Sequence, residues 1–278
     1  VNSPETSTRS STIRRWIQGR WEDPSADFVA AEEPLEIRVE TRSVSVTLRT
    51  PGHDDELAVG FLVSEGLLRT PLDLKGIRPY PRNETGNVVD VFLNDSVTCD
   101  FASLTRHVFA SSSCGLCGTA SIAALRRQFS PVTEQFQMAP EVLLSLPRQL
   151  RLAQAGFSAS GGLHAAALFS PSGQLWVVRE DVGRHNAVDK VIGRRFLDGA
   201  FPAGPSVLMV SGRVSFEIVQ KALAAGIAMI AAVSAPSSLA VQFASESGQT
   251  LVGFLREGRF NVYAGFQRVG TASDAAVQ

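Results

Sequence analysis

Apolar and polar residues alternate at period two over residues 35–49, with Leu35, Ile37 and Val39 followed by Val44, Val46 and Leu48. This pattern predicts two half-buried strands joined by a hairpin at Thr41-Arg42. After Pro51-Gly52 the acidic run Asp54-Asp55-Glu56 precedes Leu57, Val59, Phe61, Leu62 and Leu67. Carboxylates are stabilised at the positive end of a helix dipole, so a helix is expected to start there, with Gly66 near its last turn. Residues 88–93 read as a further strand, and residues 119–129 as a helix directly behind a pair of cysteines. A Leu-rich stretch at 140–154, interrupted by Pro147, predicts one or two short helices, and the small, polar segment from Gly156 to Gly162 predicts a flexible link.

The second half alternates between short apolar runs and amphipathic ones. Strands are expected at 163–169, 175–179, 207–210, 227–233 and 250–263, and helices at 185–198, 215–225 and 237–247. That order predicts an α/β architecture, a sheet covered by helices, after a smaller α+β N-terminal part. The expected division is a disordered start at 1–12, an N-terminal part at 13–155, a C-terminal part at 156–270 and a disordered tail at 271–278.

Composition narrows the function. With 278 residues and 44% hydrophobic content the chain can fill a sizeable core. A formal net charge of −1 gives no global field to gather nucleic acid or an anionic membrane, so an anionic ligand must be met locally. Three cysteines, Cys99, Cys114 and Cys117, argue against a secreted disulfide framework. The polar N-terminus lacks the apolar core of a signal peptide, and no apolar run reaches the roughly 18 residues of a membrane span. A cytoplasmic protein is expected.

Three strand-to-helix junctions carry polar clusters: Arg179-Glu180-Asp181-Val182-Gly183-Arg184-His185-Asn186, Ser211-Gly212-Arg213-Val214-Ser215 and Ser234-Ala235-Pro236-Ser237-Ser238. In open α/β sheets ligands bind beyond the carboxyl ends of strands, against free helix N-termini. Arg184 and Arg213 suit phosphates, and Glu180 or Asp181 suit a purine edge or ribose. Taken singly, such Ser and Asp residues serve equally well as helix caps; together they favour an anionic, nucleotide-like ligand. Gly161-Gly162 permits close approach of a ligand or simply a turn, and His164 reads first as a structural histidine. There is neither a P-loop nor a dinucleotide-binding glycine fingerprint, so ATP hydrolysis is not expected. Asp54-Asp55-Glu56 reads as a dipole-facing helix start rather than as metal ligands. In the helix from Phe216, the residues Ile218, Val219 and Leu223 face the core and Lys221 the solvent.

The segment Ser111-Ser112-Ser113-Cys114-Gly115-Leu116-Cys117-Gly118 carries the sharpest chemistry, because a thiol near a helix start becomes more nucleophilic. The C-x-x-C spacing alone serves metal ligation, disulfide redox or sulfur relay through a persulfide. A four-cysteine zinc site needs a second pair, which is absent; Cys99 and His107 have no partner spacing. A thioredoxin-like site would carry an aromatic residue ahead of the pair, where Ser111 to Ser113 stand. A zinc nucleobase deaminase needs H-x-E and a proline before the first cysteine, and neither His53, His107 nor Ser113 supplies them.

These pieces in order, together with Thr50-Pro51-Gly52, the stretch Asp54 to Gly66, Gly161-Gly162-Leu163-His164-Ala165-Ala166 and Gly258-Arg259-Phe260-Asn261-Val262-Tyr263, resemble the formate dehydrogenase accessory sulfurtransferase family over nearly the whole chain. The resemblance implies a cytidine deaminase-like three-layer sheet in the C-terminal half and a homodimer. It implies a sulfurtransferase that passes sulfur from a cysteine desulfurase, through Cys114 and Cys117, to the bis-molybdopterin guanine dinucleotide form of the molybdenum cofactor for formate dehydrogenase. Gly161, Gly162, His164, Arg179, Glu180, Asp181, Arg184, His185, Asn186, Ser211, Gly212, Arg213, Ser234, Ser237, Phe260 and Asn261 would then hold the guanine nucleotide moiety. No permanently bound metal, nucleic acid or membrane is expected, and Cys99 should be dispensable. The alternatives are a non-catalytic chaperone for the same cofactor and a zinc-stabilised structural protein.

Overall fold

The computed structural model describes residues 7–79, 86–101 and 129–270. The helix expected at 119–129 lies almost wholly outside them. Strands β1 (Thr8–Ile13), β2 (Trp16–Ile17), β3 (Arg20–Trp21) and β4 (Ser25–Ala30) form one antiparallel arm, β1 pairing with β4 and β2 with β3. The frayed start expected at 1–12 is therefore corrected over residues 8–12, which pair residue for residue with β4. Next come β5 (Glu33–Val39) and β6 (Arg42–Arg49), with Glu40 and Thr41 both at positive φ in the turn between them. Helix α1 (Asp54–Ser64) and strands β7 (Leu74–Pro79) and β8 (Val88–Leu93) follow, giving a four-stranded sheet in the order β6-β5-β8-β7. Gly66 lies just beyond the last turn of α1, near where the sequence places it, its N–H donating to the Val63 carbonyl.

The rest of the chain runs through α2 (Pro140–Ala153), α3 (Ala155–Ser160), β9 (His164–Phe169), β10 (Leu175–Asp181), α4 (Arg184–Leu197), β11 (Val207–Val210), α5 (Phe216–Ala224), β12 (Met229–Ala232), α6 (Ser238–Glu246), β13 (Thr250–Arg256) and β14 (Arg259–Ala264). Their six strands form a mixed sheet in the order β10-β9-β11-β12-β13-β14. The chain is thus of the mixed α/β class, as its sequence predicts. Alternate residues of each strand feed the two faces: Ala166, Leu168, Leu208, Val210, Ile230 and Ala232 face α4, α5 and α6, whereas Ala167, Phe169, Met209, Met229 and Val252 face α2. The four-stranded sheet closes the opposite side of the helical layer, so Leu35, Ile37, Val89 and Val91 share a core with Val188, Val191 and Ile218. That core runs across residue 156.

Three local readings need correction. Pro147 does not break α2; its missing N–H costs one intrahelical bond, while Leu143, Leu146 and Leu150 dock the whole helix on the sheet. The segment 156–162 is not a free link, because the Glu180 carboxylate accepts the N–H groups of Gly156 and Phe157, both at 2.8 Å, and nucleates α3. Val46 and Leu48 point outward, at 63% and 56% exposure. An irregularity in the β5–β6 pairing at Ile37/Arg38 shifts the register, and a one-residue shift exchanges the faces of a strand, so Ser45 and Arg49 turn inward.

At the centre α1 crosses α4 at backbone contact. A Cβ on Gly60 would overlap the Asp189 carbonyl, and one on Gly193 would overlap the Glu56 carbonyl. Helix α1 is apolar on nearly all sides, with Leu57, Ala58, Val59, Leu62 and Val63 buried, as befits a helix enclosed by protein.

Candidate functional site

Because β9 runs antiparallel to both β10 and β11, while β11, β12 and β13 run parallel, the start of β9 and the ends of β10 to β13 share one edge of the large sheet. His164 pairs with Asp181, and Val210 pairs with both Ala166 and Ala232. All three junctions read from the sequence are thereby brought together. Gly212 is buried beside His164 and Arg184, such that a Cβ there would lie 3.4 Å from His164 Nδ1 and 3.6 Å from Arg184 Cδ. Gly161 terminates α3 at φ 69°, and Gly162 lies against Ala30.

The residues at this edge divide by their bonds. Arg179, Glu180 and Asp181 are buried and committed within the protein. Arg179 grips the Glu56 carboxylate through two nitrogens, Nη2 at 2.7 Å from Oε1 and Nε against Oε2. Glu180 holds α3, and Asp181 pairs with Lys190 at 2.7 Å and accepts the Thr50 N–H at 3.1 Å. Asn186 donates to the Leu48 carbonyl at 2.8 Å and to Asp181 at 3.0 Å, tying the start of α4 to β6. Ser211 accepts the Ala165 N–H at 2.9 Å, and Ser237 caps α6 by accepting the Ala240 N–H at 3.2 Å. The Ser234 carbonyl accepts the Phe254 N–H at 3.1 Å. Phe260 packs on the α2-side core, and Asn261, exposed, donates to the Tyr263 hydroxyl at 3.3 Å.

Arg184 and Arg213 differ from these. Arg184 begins α4, its Nε is buried, and no acceptor among the described residues meets that atom. Arg213 is exposed and has no ion pair among the described residues. A guanidinium donor at the N-terminus of a fourteen-residue helix has the chemistry to hold a phosphate oxygen. Both nearby histidines favour the neutral form: burial and the Arg184 charge push His164 down, and burial, Lys221 and Arg184 push His185 down to about 4. His185 Nε2 lies 3.2 Å from Ser215 Oγ and 3.4 Å from Glu217 Oε2.

Behind α4 a cavity of about 400 Å³ opens between β6 and α5, with Ser45, Thr47, His185, Asn186, Glu217 and Lys221 among its walls. Sequence reasoning missed it, since it depends on the reversed face of β6. Lys221 is corrected here: it is not solvated but 5% exposed, with Nζ 2.8 Å and 2.9 Å from the two Asp189 oxygens. Burial opposes its charge, but Asp189, Glu217 and Glu65 outweigh burial and raise its pKa. The acidic first turn of α1 is likewise more than a dipole partner: Asp54 pairs with buried Arg49 at 2.9 Å and 2.8 Å, and Glu56 with Arg179. No group of three or more potential metal-ligating side chains occurs among the described residues, and none of their helices is long and apolar enough to cross a membrane. Cys114 and Cys117, and also His107, lie outside the described residues; Cys99 is a half-buried free thiol, its pKa raised by burial and by Asp100.

Comparison with known proteins adds to this geometry. The model of the FdhD/NarQ family matches residues 30–270. A relative from Streptomyces avermitilis, named sulfur carrier protein FdhD, is 52% identical over 258 residues, covering 90% of this chain and 92% of its own. One of the same name from Saccharolobus solfataricus is 43% identical, covering 92% and 98%. A solved structure from Desulfotalea psychrophila, described as a candidate formate dehydrogenase accessory protein, superposes with a TM-score of 0.78 at 24% identity over 95% of this chain and 99% of that one. With the match spanning the four-stranded sheet, the six-stranded sheet and the edge where the junctions meet, the chain belongs to the FdhD/NarQ family.

Proposed function

We propose that this chain is a sulfur carrier: it takes sulfur from a cysteine desulfurase onto the Cys114/Cys117 pair and passes it to the bis-molybdopterin guanine dinucleotide cofactor, its substrate, before that cofactor enters formate dehydrogenase. The observation that carries the reading is a C-x-x-C pair in a chain whose relatives, at 43–52% identity, are named sulfur carrier proteins. In the first step a carrier thiolate attacks the outer sulfur of the donor persulfide. A new S–S bond forms as the donor's own S–S bond breaks, and the donor cysteine leaves as a thiolate with the bonding electrons. One persulfide is consumed and one is made, so the exchange needs no oxidant. The second thiol, three positions away, is available to shield the carried sulfur or to accept it. Such thiols must stay reduced between cycles, which fits the cytoplasm.

The sheet edge supports the second step. Arg184 and Arg213, which have no ion pair among the described residues, offer guanidinium groups with which a guanine dinucleotide can be gripped without a P-loop. Arg184→Gln is expected to weaken guanosine diphosphate binding, measured by calorimetry, about tenfold or more while the fold persists. Unchanged affinity would remove this edge from the account. Cys114→Ala and Cys117→Ala are each expected to abolish sulfur delivery, read as formate dehydrogenase activity in cells relying on the variant. Full activity in either variant would overturn that cysteine's role, and Cys99→Ala should behave as the parent chain does.

A further inference from the structure

The cavity between β6 and α5 contains one carboxylate with no lysine or arginine paired to it among the described residues. Asp189 and Lys221 in its wall are joined to each other, Nζ standing 2.8 Å and 2.9 Å from the two carboxylate oxygens. Glu217, in the first turn of α5, lines the same cavity and meets only His185, whose Nε2 is 3.4 Å from Oε2. Burial, Lys221 and Arg184 hold the His185 pKa at about 4, so at pH 7 the ring brings Glu217 no compensating charge. The other walls are largely apolar. Val46 and Leu48 of β6 and Leu57 and Phe61 of α1 contribute, and Val46 and Leu48 are 63% and 56% exposed. At about 400 Å³ the cavity has the size of a small-molecule site. An uncompensated carboxylate calls for N–H donors, and apolar walls beside it suit the face of a flat ring.

We infer that the guanine base of the nucleotide occupies this cavity, its N1–H and 2-amino group both donating to the Glu217 carboxylate, so that Glu217 selects guanine. The inference rests on the guanine nucleotide reading given above and assigns the base a place that the two arginines do not. Gly183 and His185 line the cavity, whereas Arg184 between them lies beside Gly212 at the sheet edge. A nucleotide laid over the start of α4 therefore sets its base at Glu217 and its phosphates at Arg184. Adenine cannot take the place of guanine: its N1 is an acceptor and its position 2 has no amino group, so a lone pair would face the carboxylate. Hypoxanthine keeps the N1–H and loses one of the two bonds.

Calorimetry on the full chain with guanosine, inosine and adenosine diphosphates tests this. The parent chain should bind guanosine diphosphate about tenfold or more tightly than inosine diphosphate, the effect of one hydrogen bond to a charged group, and about a hundredfold or more tightly than adenosine diphosphate. Glu217→Gln, at a side chain 36% exposed, should lower guanosine diphosphate affinity about tenfold and leave adenosine diphosphate affinity equal or higher, since an amide both accepts and donates. A merely structural role for Glu217 would weaken all three ligands alike, as Arg184→Gln should through the phosphates. A parent chain without preference for guanine over adenine, or a Glu217→Gln variant with the parent's selectivity, would overturn the inference and leave nucleotide binding at the sheet edge standing. A parent chain that binds none of the three would overturn both.

Discussion

Replacing Arg179 with alanine is expected to lower the stability of the chain by about 3–5 kcal/mol, because it strands the Glu56 carboxylate, 3% exposed, without its main partner. Burial alone would raise the Glu56 pKa, but the Arg179 hydrogen bonds and His53 outweigh it and hold it down at about 2. A folded-state value below the ordinary 4.5 means that Glu56 stabilises the fold above about pH 4.5, and that this contribution is lost as pH falls from there toward 2. In the alanine variant His53, at 3.4 Å, and Arg194, at 3.8 Å, are left to oppose burial, so the Glu56 pKa should rise and mild acid should relieve part of the defect. Urea unfolding of both proteins between pH 4 and 7 measures this. A variant within 1 kcal/mol of the parent, with the same pH dependence, would mean that the Glu56–Arg179 pair does not join α1 to β10.

Gly60→Ala is expected to be comparably severe, about 3 kcal/mol or more, or to leave no soluble protein. One added methyl overlaps the Asp189 backbone, and neither helix can give way without opening the core between the sheets. Gly193→Ala meets the Glu56 backbone and should behave alike. Gly76→Ala, whose Cβ would meet nothing within 4 Å among the described residues, serves as the control and should change stability by no more than about 0.5 kcal/mol. Thermal melting of the three variants separates a crossing at backbone contact from a general intolerance of substitution.

The network behind both expectations also explains what the sequence made legible. Elements whose signals are local were readable: the alternating strands and helices of the second half, the β5–β6 hairpin and the start of α1 all follow from spacing and turn chemistry within a few residues. The misread features depend on partners far along the chain. Lys221 looks like a surface lysine on its own helix and is buried because Asp189, 32 residues earlier, meets it. The segment 156–162 looks flexible and is helical because Glu180 caps it from 23 and 24 residues away. Val46 and Leu48 face outward through a pairing irregularity that leaves no mark on composition. The arm had a usable signal in Gln18-Gly19 between Trp16-Ile17 and Arg20-Trp21, but its flanks of Ser, Thr and Arg lack apolar alternation.

The candidate site was legible in location more than in role. The three polar junctions do meet at one sheet edge, as α/β topology requires, yet Arg179, Glu180 and Asp181 spend their bonds inside the protein. A buried ion pair and a ligand-binding pair look the same in sequence, since both need charged residues at strand ends. What distinguishes Arg184 at this edge is a buried donor with no acceptor among the described residues.

The central claim is covalent carriage of sulfur, and intact-protein mass spectrometry tests it most directly. After incubation with a cysteine desulfurase and cysteine, the parent chain should gain the mass of one sulfur atom, removable by reductant, and Cys114→Ala or Cys117→Ala should lose that gain. No added sulfur on a chain that still binds guanosine diphosphate would contradict the carrier account and leave a chaperone for the cofactor in its place.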